Sequence, residues 1–320
     1  MPRVLKIFFH DNCFDGAASA AVFADFYRQV IDPRADVELQ GVQHRPGDPF
    51  EGLPLDGDDN ACVDFRFCPA PEMTWWFDHH ATAFQPAELR ATFEADTSGH
   101  KFHDPTARSN TLFMTGVLRE QFGYQLPDSF QEVVDWADLI DAARFATPAQ
   151  AVELVEPALQ LMTWLEANRD RSLTRRFIDL LGHQPLAEIS ATPWLREPLE
   201  PLLVAHRGAI ELVRSRARVT SGVVVFDLTE DDVSSINKFI SYFLHPEASY
   251  TVSLVRAPGR LKVSAGANPW FPERRRHDIS AICERYGGGG HPFVGAVSLP
   301  PDQLDRARQV LGEIVAELSA

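Results

Sequence analysis

Seven side chains able to hold a cation fall at three places in the first half of the chain: His10, Cys13 and Asp15; then Asp64; then the consecutive Asp78-His79-His80. Taken one at a time they say little. A lone Asp on a strand is usually a turn or cap residue, and a lone His beside an apolar strand is usually a satisfied core residue. Asp-His-His directly after Trp75-Trp76-Phe77 is harder to set aside. Three polar side chains at the mouth of a buried strand need partners, because burying them unpaired is costly. Together these groups supply oxygen and nitrogen donors of hard and borderline character, which suit Mn2+ or Mg2+ in roughly octahedral coordination.

A second chemical feature lies about 200 residues on, at Gly287-Gly288-Gly289-Gly290-His291, with Arg274, Arg275, Arg276 and Arg285 nearby. Glycines permit positive φ and let backbone N–H groups approach an anion. A plain turn after a helix ending at Tyr286 is the bland alternative; the run of four followed by His favours an anion cradle. There His291 could donate to a phosphate oxygen or a base. The arginine triplet reads equally well as a solvated face.

The elements that must position these groups follow from periodicity. Val4–Phe9 reads as a buried strand, and the Ala-rich run 17–30 as a helix buried on more than one face. Strands follow at 37–42, at 60–65 (carrying Asp64) and at 73–77, which runs straight into Asp78. Helices follow Ser109-Asn110 and precede Asp141. Strands interleaved with helices indicate a mostly parallel α/β sheet, in which loops at the carboxyl ends of strands converge on one crevice. The stretch 148–217 is helical, broken by prolines. Strands return at 219–228, 249–256, 261–265 and 296–299, with helices at 233–244, 278–286 and 301–319. The expected organisation is an N-terminal α/β domain over 1–185, with a mostly parallel sheet flanked by helices. A helical linker over 186–217 and a smaller α+β domain over 218–320 complete it.

Composition excludes some classes. A formal net charge of −15 over 320 residues repels polyanions, so an extended duplex DNA partner does not fit. No apolar run reaches the length of a membrane span. Four cysteines without a CxxC pair point to a reducing, cytoplasmic setting, and the start of the chain shows no signal-peptide pattern.

The order His10, Asp15-Gly16, Asp64, Asp78-His79-His80, then an Asp late in the domain, resembles the DHH phosphoesterase superfamily. The Gly287–His291 run resembles the glycine-rich loop of its DHH-associated C-terminal domain. The resemblance spans roughly residues 7 to 297. It implies a divalent-metal phosphohydrolase with two Mn2+ ions (Mg2+ or another divalent metal being alternatives). His10 and Asp64 would hold one ion; Asp15, Asp64 and His79 the other, with Asp64 bridging. His80 would face the scissile phosphate, and Asp78 would orient the neighbouring histidines. The last carboxylate would come from Asp138 or Asp141, and Asp141 is favoured because Phe145 follows four residues later. His291 joins His80 in stabilising charge on phosphorus, and Gly288, Gly289, Gly290 and Asn268 join the substrate-binding set.

Two departures bear on specificity. Cys13 stands where many family members place Asp: either a softer thiolate ligand favouring Zn2+ or Fe2+, or, as favoured here, a small buried residue with water completing the shell. Gly266 stands where the family carries a substrate-gripping Arg, leaving Asn268 and Trp270 to shape the pocket. The leading expectation is hydrolysis of the phosphodiester of short oligonucleotides or dinucleotides by two-metal hydroxide attack. A phosphoanhydride hydrolase of the exopolyphosphatase or pyrophosphatase kind is the alternative, and a non-catalytic phosphate-ligand module the second. The expected partners are a small phosphorylated substrate and, at most, a second copy of the chain in a homodimer.

Overall fold

The computed structural model describes residues 2–45, 47–233 and 236–320. Two compact units divide the chain: the first runs to Phe145 and resumes over Val155–Leu199, and the second comprises Ala146–Leu154 and Glu200–Ala320. The expected linker segment is largely helical and is shared between the two.

The first unit contains β1 (Val4–His10), α1 (Phe14–Phe26) continued by a π-helical turn (Tyr27–Ile31), β2 (Asp36–Val42), β3 (Asp59–Val63), β4 (Trp75–Asp78), α2 (Leu89–Glu94), β5 (Lys101–His103), α3 (Asn110–Phe122) and α4 (Asp128–Asp141). Of the helices that follow, α5 (Pro148–Glu153) belongs to the second unit, while α6 (Pro157–Ala167), α7 (Arg171–Leu180) and α8 (Leu186–Ser190) belong to the first; α9 (Pro193–Arg216) is divided between them. The five strands form one all-parallel sheet in the order β2-β1-β3-β4-β5.

Parallel strands need crossover connections that cover both faces, so their sequences read as continuous apolar runs. β1 and β4 obey this: Leu5 to Phe9 and Trp75 to Asp78 are buried throughout. α1 is buried almost all round, as its alanines and phenylalanines require. β1 pairs with β2 on one side and β3 on the other. The chain therefore reverses its direction of winding between them, and the carboxyl ends of β1 and β3 flank the crevice that such a switch opens.

The second unit contains β6 (Arg218–Thr220), β7 (Val223–Asp227), α10 (Ile240–Leu244), β8 (Tyr250–Ala257), β9 (Arg260–Ala267), α11 (Ile279–Glu284), β10 (Gly289–His291), β11 (Val294–Leu299) and α12 (Leu304–Leu318). Its mixed six-stranded sheet has the order β10-β11-β9-β8-β7-β6. α11 and α12 bury Ile279, Ile282, Val310 and Ile314 with Val252, Leu254 and Val263 of the sheet. The expected strand 219–228 is two strands around the turn Ser221-Gly222, both at positive φ. The expected helix 233–244 is helical only over Ile240–Leu244, and its positions 234 and 235 lie outside the described residues.

Candidate metal centre

Three strands and a helix end at one cluster. His10 is the last residue of β1, and Asp15 lies in the first turn of α1. Gly16 makes this approach feasible: a Cβ there would lie 2.2 Å from the His10 carbonyl oxygen. Between them, Asn12 adopts φ 59° and donates to the carbonyls of Leu165 (2.9 Å) and Asn168 (2.8 Å), which pins the loop. Asp64 is not on β3, as expected, but one residue beyond it, at φ 56°. A left-handed conformation ends the strand and costs a non-glycine residue free energy that the surroundings must supply, a pattern concentrated at functional sites.

Each donor is oriented by a second contact. Asp15 accepts from the backbone N–H of Asn110 (2.6 Å) and Thr111 (3.0 Å), at the amino end of α3, where anionic oxygens are favoured. His79 Nδ1 lies 3.2 Å from the Ala107 carbonyl and donates to it, which turns Nε2 toward the cluster as the atom a cation would take. Asp78 is fully buried and accepts from the N–H of His79 (2.8 Å), the N–H of His80 (3.2 Å) and His80 Nδ1 (2.7 Å). It thus holds the two histidines from behind.

His79 Nε2 lies 3.4 Å from Asp141 Oδ2, 3.6 Å from Asp64 Oδ1 and 3.8 Å from Asp15 Oδ2. His10 Nδ1 is 3.4 Å from Asp64 Oδ2, and His80 Nδ1 is 3.9 Å from Asp64 Oδ1. Among the described residues, three triads bring ligand atoms within 4.8 Å of one another: His10-Cys13-Asp64, Asp64-His79-His80 and Asp15-His79-Asp141. Asp64 and His79 each belong to two of these triads. Asp138 is committed to Arg108, with N–O distances of 2.9 and 3.1 Å. Asp141, not Asp138, therefore faces the cluster.

The electrostatics are those of a cluster short of positive charge. Burial raises the Asp15 carboxyl well above the usual range, and the charges of Asp64 and Asp141 add to this. Asp141 is raised by burial and by Asp64. Burial also acts to raise Asp64, but His10 and His79 outweigh it and hold it below the ordinary carboxylate range. For His79 burial opposes the charged form; the nearby carboxylates of Asp64, Asp15 and Asp141 prevail and raise its pKa to about 10. His80 likewise rises against burial to about 8, chiefly through Asp78.

A cation fits this set on one plain observation. His10 Nδ1, both oxygens of Asp64 and His79 Nε2 are buried with no hydrogen-bond partner. Buried polar atoms are nearly always satisfied, and a group of orphans converging on one point is what ligands of a cation look like without it.

No family sequence model matches the chain, and no curated protein sequence does. Solved structures do. A pGpG-specific phosphodiesterase from Vibrio cholerae superposes with a TM-score of 0.71 at 21% identity, over 98% of this chain and 99% of that one. The DHH domain of a member of a family of ribosomal proteins gives 0.59 at 13% identity, over 99% and 88%. The fold is that of the DHH phosphoesterases. RecJ from Thermus thermophilus, in complex with Mn2+, gives 0.55 at 13% identity; the match covers 98% of this chain but 52% of RecJ.

On this DHH fold, the glycine-rich run is part of the second unit's sheet. Gly289–His291 form β10, paired antiparallel with β11. A Cβ on Gly288 would lie 2.2 Å from the Ala296 carbonyl oxygen, and one on Gly290 2.2 Å from that of Val294. The Gly287 and Gly288 N–H groups donate to the carbonyls of Glu284 and Cys283. Close strand packing thus accounts for much of the run, and His291 stands exposed at its end. Arg275 donates to the Pro292 and His277 carbonyls and lies over Phe293, while Arg285 pairs with Glu317.

Asn268 needs correcting. It is buried, with its side-chain N–H groups donated to the Pro246 and Ala248 carbonyls and its oxygen accepting from the Trp270 N–H. It braces a turn instead of facing a substrate. Trp270 packs edge-on against Phe239 and Tyr242.

His44 is absent from the expected set. Its ring stacks on Phe65 with centroids 4.6 Å apart and meets His10 edge-on at 5.1 Å. Burial and the neighbouring His10 and His80 lower its pKa. Its only signal in the sequence is position, two residues beyond the end of β2 at the same sheet edge.

Proposed function

We propose that the chain is a divalent-metal-dependent phosphohydrolase acting on the phosphodiester of short oligonucleotides or dinucleotides. The observation that carries the reading is the convergence of orphaned His10, Asp64 and His79 donors on one buried point beside Asp15 and Asp141. His10 and Asp64 would hold one ion, and Asp15, Asp64, His79 and Asp141 a second, with Mn2+ the leading assignment. The chemistry supplied by divalent cations there is Lewis-acid polarisation of a phosphoryl oxygen and acidification of water.

The chain's own residues do the rest. Ala107 holds the His79 ring through Nδ1, so that Nε2 is the atom facing the carboxylates and would offer its lone pair to a cation once the proton there is displaced. Asp78 holds His80 through Nδ1, which leaves Nε2 as its outward donor. Asp78 favours the charged form of His80, whose outward N–H can then donate to a phosphoryl oxygen as charge accumulates there. The likeness to a pGpG-specific phosphodiesterase over nearly the full length of both chains supports a dinucleotide as the first substrate to try.

The test is a Mn2+-supplemented panel of dinucleotides, cyclic dinucleotides, pyrophosphate and polyphosphate, run on the wild type and on Asp64→Ala and His79→Ala. Mononucleotide release from a dinucleotide, lost in both variants, is expected. Orthophosphate from polyphosphate alone would move the assignment to a phosphoanhydride hydrolase. Activity retained in either variant would sink the site.

A further inference from the structure

Cys13 is the one cysteine at the cluster. Cys62, Cys68 and Cys283 are buried, the first two in the aromatic core beside Phe65 and Trp76 and the third in the core of the second unit. Cys13 is half-buried instead, and its sulfur lies within 4.8 Å of a ligand atom of His10 and of Asp64. Those two partners supply the independent sign of a ligand: His10 Nδ1 and both Asp64 oxygens are buried without hydrogen-bond partners, and Asp64 is 1% exposed. Cys13 is also the residue that opens α1, a helix of 13 residues, at a position usually held by Ser, Thr, Asp or Asn. The amino end of a helix favours the thiolate, the form that ligates.

We infer that Cys13 Sγ is a ligand of the ion held by His10 and Asp64, and that this position selects a thiophilic cation such as Zn2+, Fe2+ or Co2+ over Mn2+ and Mg2+. The inference rests on the metal-centre reading above and changes its content. A nitrogen, sulfur and oxygen set matches the borderline-soft end of the first-row series, whereas the all-oxygen-and-nitrogen set of Asp15, Asp64, His79 and Asp141 has no such bias. The two positions would then differ in preference, with Asp64 common to both.

The experiment is Co2+ titration of the purified, metal-stripped full-length chain, followed by absorption spectroscopy and metal analysis. Wild type is expected to show a near-ultraviolet sulfur-to-cobalt charge-transfer band that is absent in Cys13→Ser and retained in Cys283→Ser. Cys13→Asp keeps a charged ligand and is expected to shift the Zn2+-to-Mn2+ affinity ratio toward Mn2+ by at least about tenfold. Thermal melting of each metal-free variant shows whether it is folded. Stoichiometric Co2+ without the band, or a band that survives Cys13→Ser, overturns the inference while leaving a metal centre in place. No Co2+, Zn2+ or Mn2+ bound at all overturns the metal-centre reading itself, and this inference with it.

Discussion

Exchanging Asp141 for Asn, beside a matched Asp138→Asn, tests whether the last carboxylate belongs to the cluster or to the protein surface. In the metal-free protein, Asp141 Oδ2 lies 3.4 Å from His79 Nε2. At an effective dielectric constant of ~20 this attraction to a protonated imidazole is about 5 kcal/mol before desolvation. Asp141 also sits within 4.8 Å of an Asp15 ligand atom, a repulsion of at least about 3.5 kcal/mol on the same scale when both are ionised. The two nearly offset, and repulsion from Asp64 narrows the gap further. Asp141→Asn should therefore change metal-free stability little. Its effect should appear on adding metal. A tenfold to hundredfold loss of affinity corresponds to about 1.4–2.7 kcal/mol of lost ligand stabilisation. In a unit of this size that removes roughly 3–10 °C from the metal-induced rise in Tm. Asp138→Asn should do the reverse. Breaking its half-exposed pair with Arg108 costs about 1 kcal/mol or less, and the metal-induced rise survives. Differential scanning calorimetry with and without Mn2+ reads both. An unchanged metal response in Asp141→Asn, or its loss in Asp138→Asn, would refute the assignment.

Other outcomes follow from the same geometry. Asp78→Asn removes the carboxylate that favours the charged form of His80, so the His80 pKa should fall from about 8 toward or below 6.5, as followed by NMR titration of the ring in metal-free protein. Because the folded-state pKa of His79 is raised from 6.5 to about 10, its contribution to metal-free stability is full below pH 6.5 and is lost as pH rises through 10. Chemical denaturation across that window should show the loss, and the His79→Gln variant should not. Metal binding near neutral pH should displace that proton, seen by calorimetry as an enthalpy that depends on the buffer. Gly16→Ala forces a methyl to within 2.2 Å of the His10 carbonyl; a destabilisation of about 1–3 kcal/mol is expected, with metal affinity reduced as well.

Much of the cluster is legible in the sequence because it hangs on buried parallel strands. β1 and β4 announce themselves by uninterrupted apolar residues, and a polar residue straight after such a strand has few places to go. The preference for Asp141 over Asp138 rests, in the sequence, on the apolar pair Leu139-Ile140 before it and on Phe145 four residues after it. The physical reason, the claim of Arg108 on Asp138, connects residues 30 positions apart and is invisible to local pattern. β5 escapes such a reading because it has three residues and is only half-buried at the sheet edge. β10 is hidden by its composition: glycines read as loop, whereas here they allow two strands and a helix end to pack closely. Asn268 misleads because a polar residue next to a Trp resembles a binding group, and only the structure shows its amide filled by backbone. The backbone of Asp64 turns left-handed where alternation predicts more strand, since its place in the cluster, not its propensity, sets its conformation.

The origin of the donors has a consequence for how the molecule comes into being. They are supplied by the ends of β1, β3 and β4 and by the last turn of α4, so the first and last are 131 positions apart (10 to 141). Short stretches supply only parts of the cluster, and loop-closure entropy opposes early assembly of the whole. The growing chain can trap an ion firmly only after α4 has left the ribosome and docked on the sheet. Metal capture should thus be a late event in folding, and its rate a measure of when the first unit is complete.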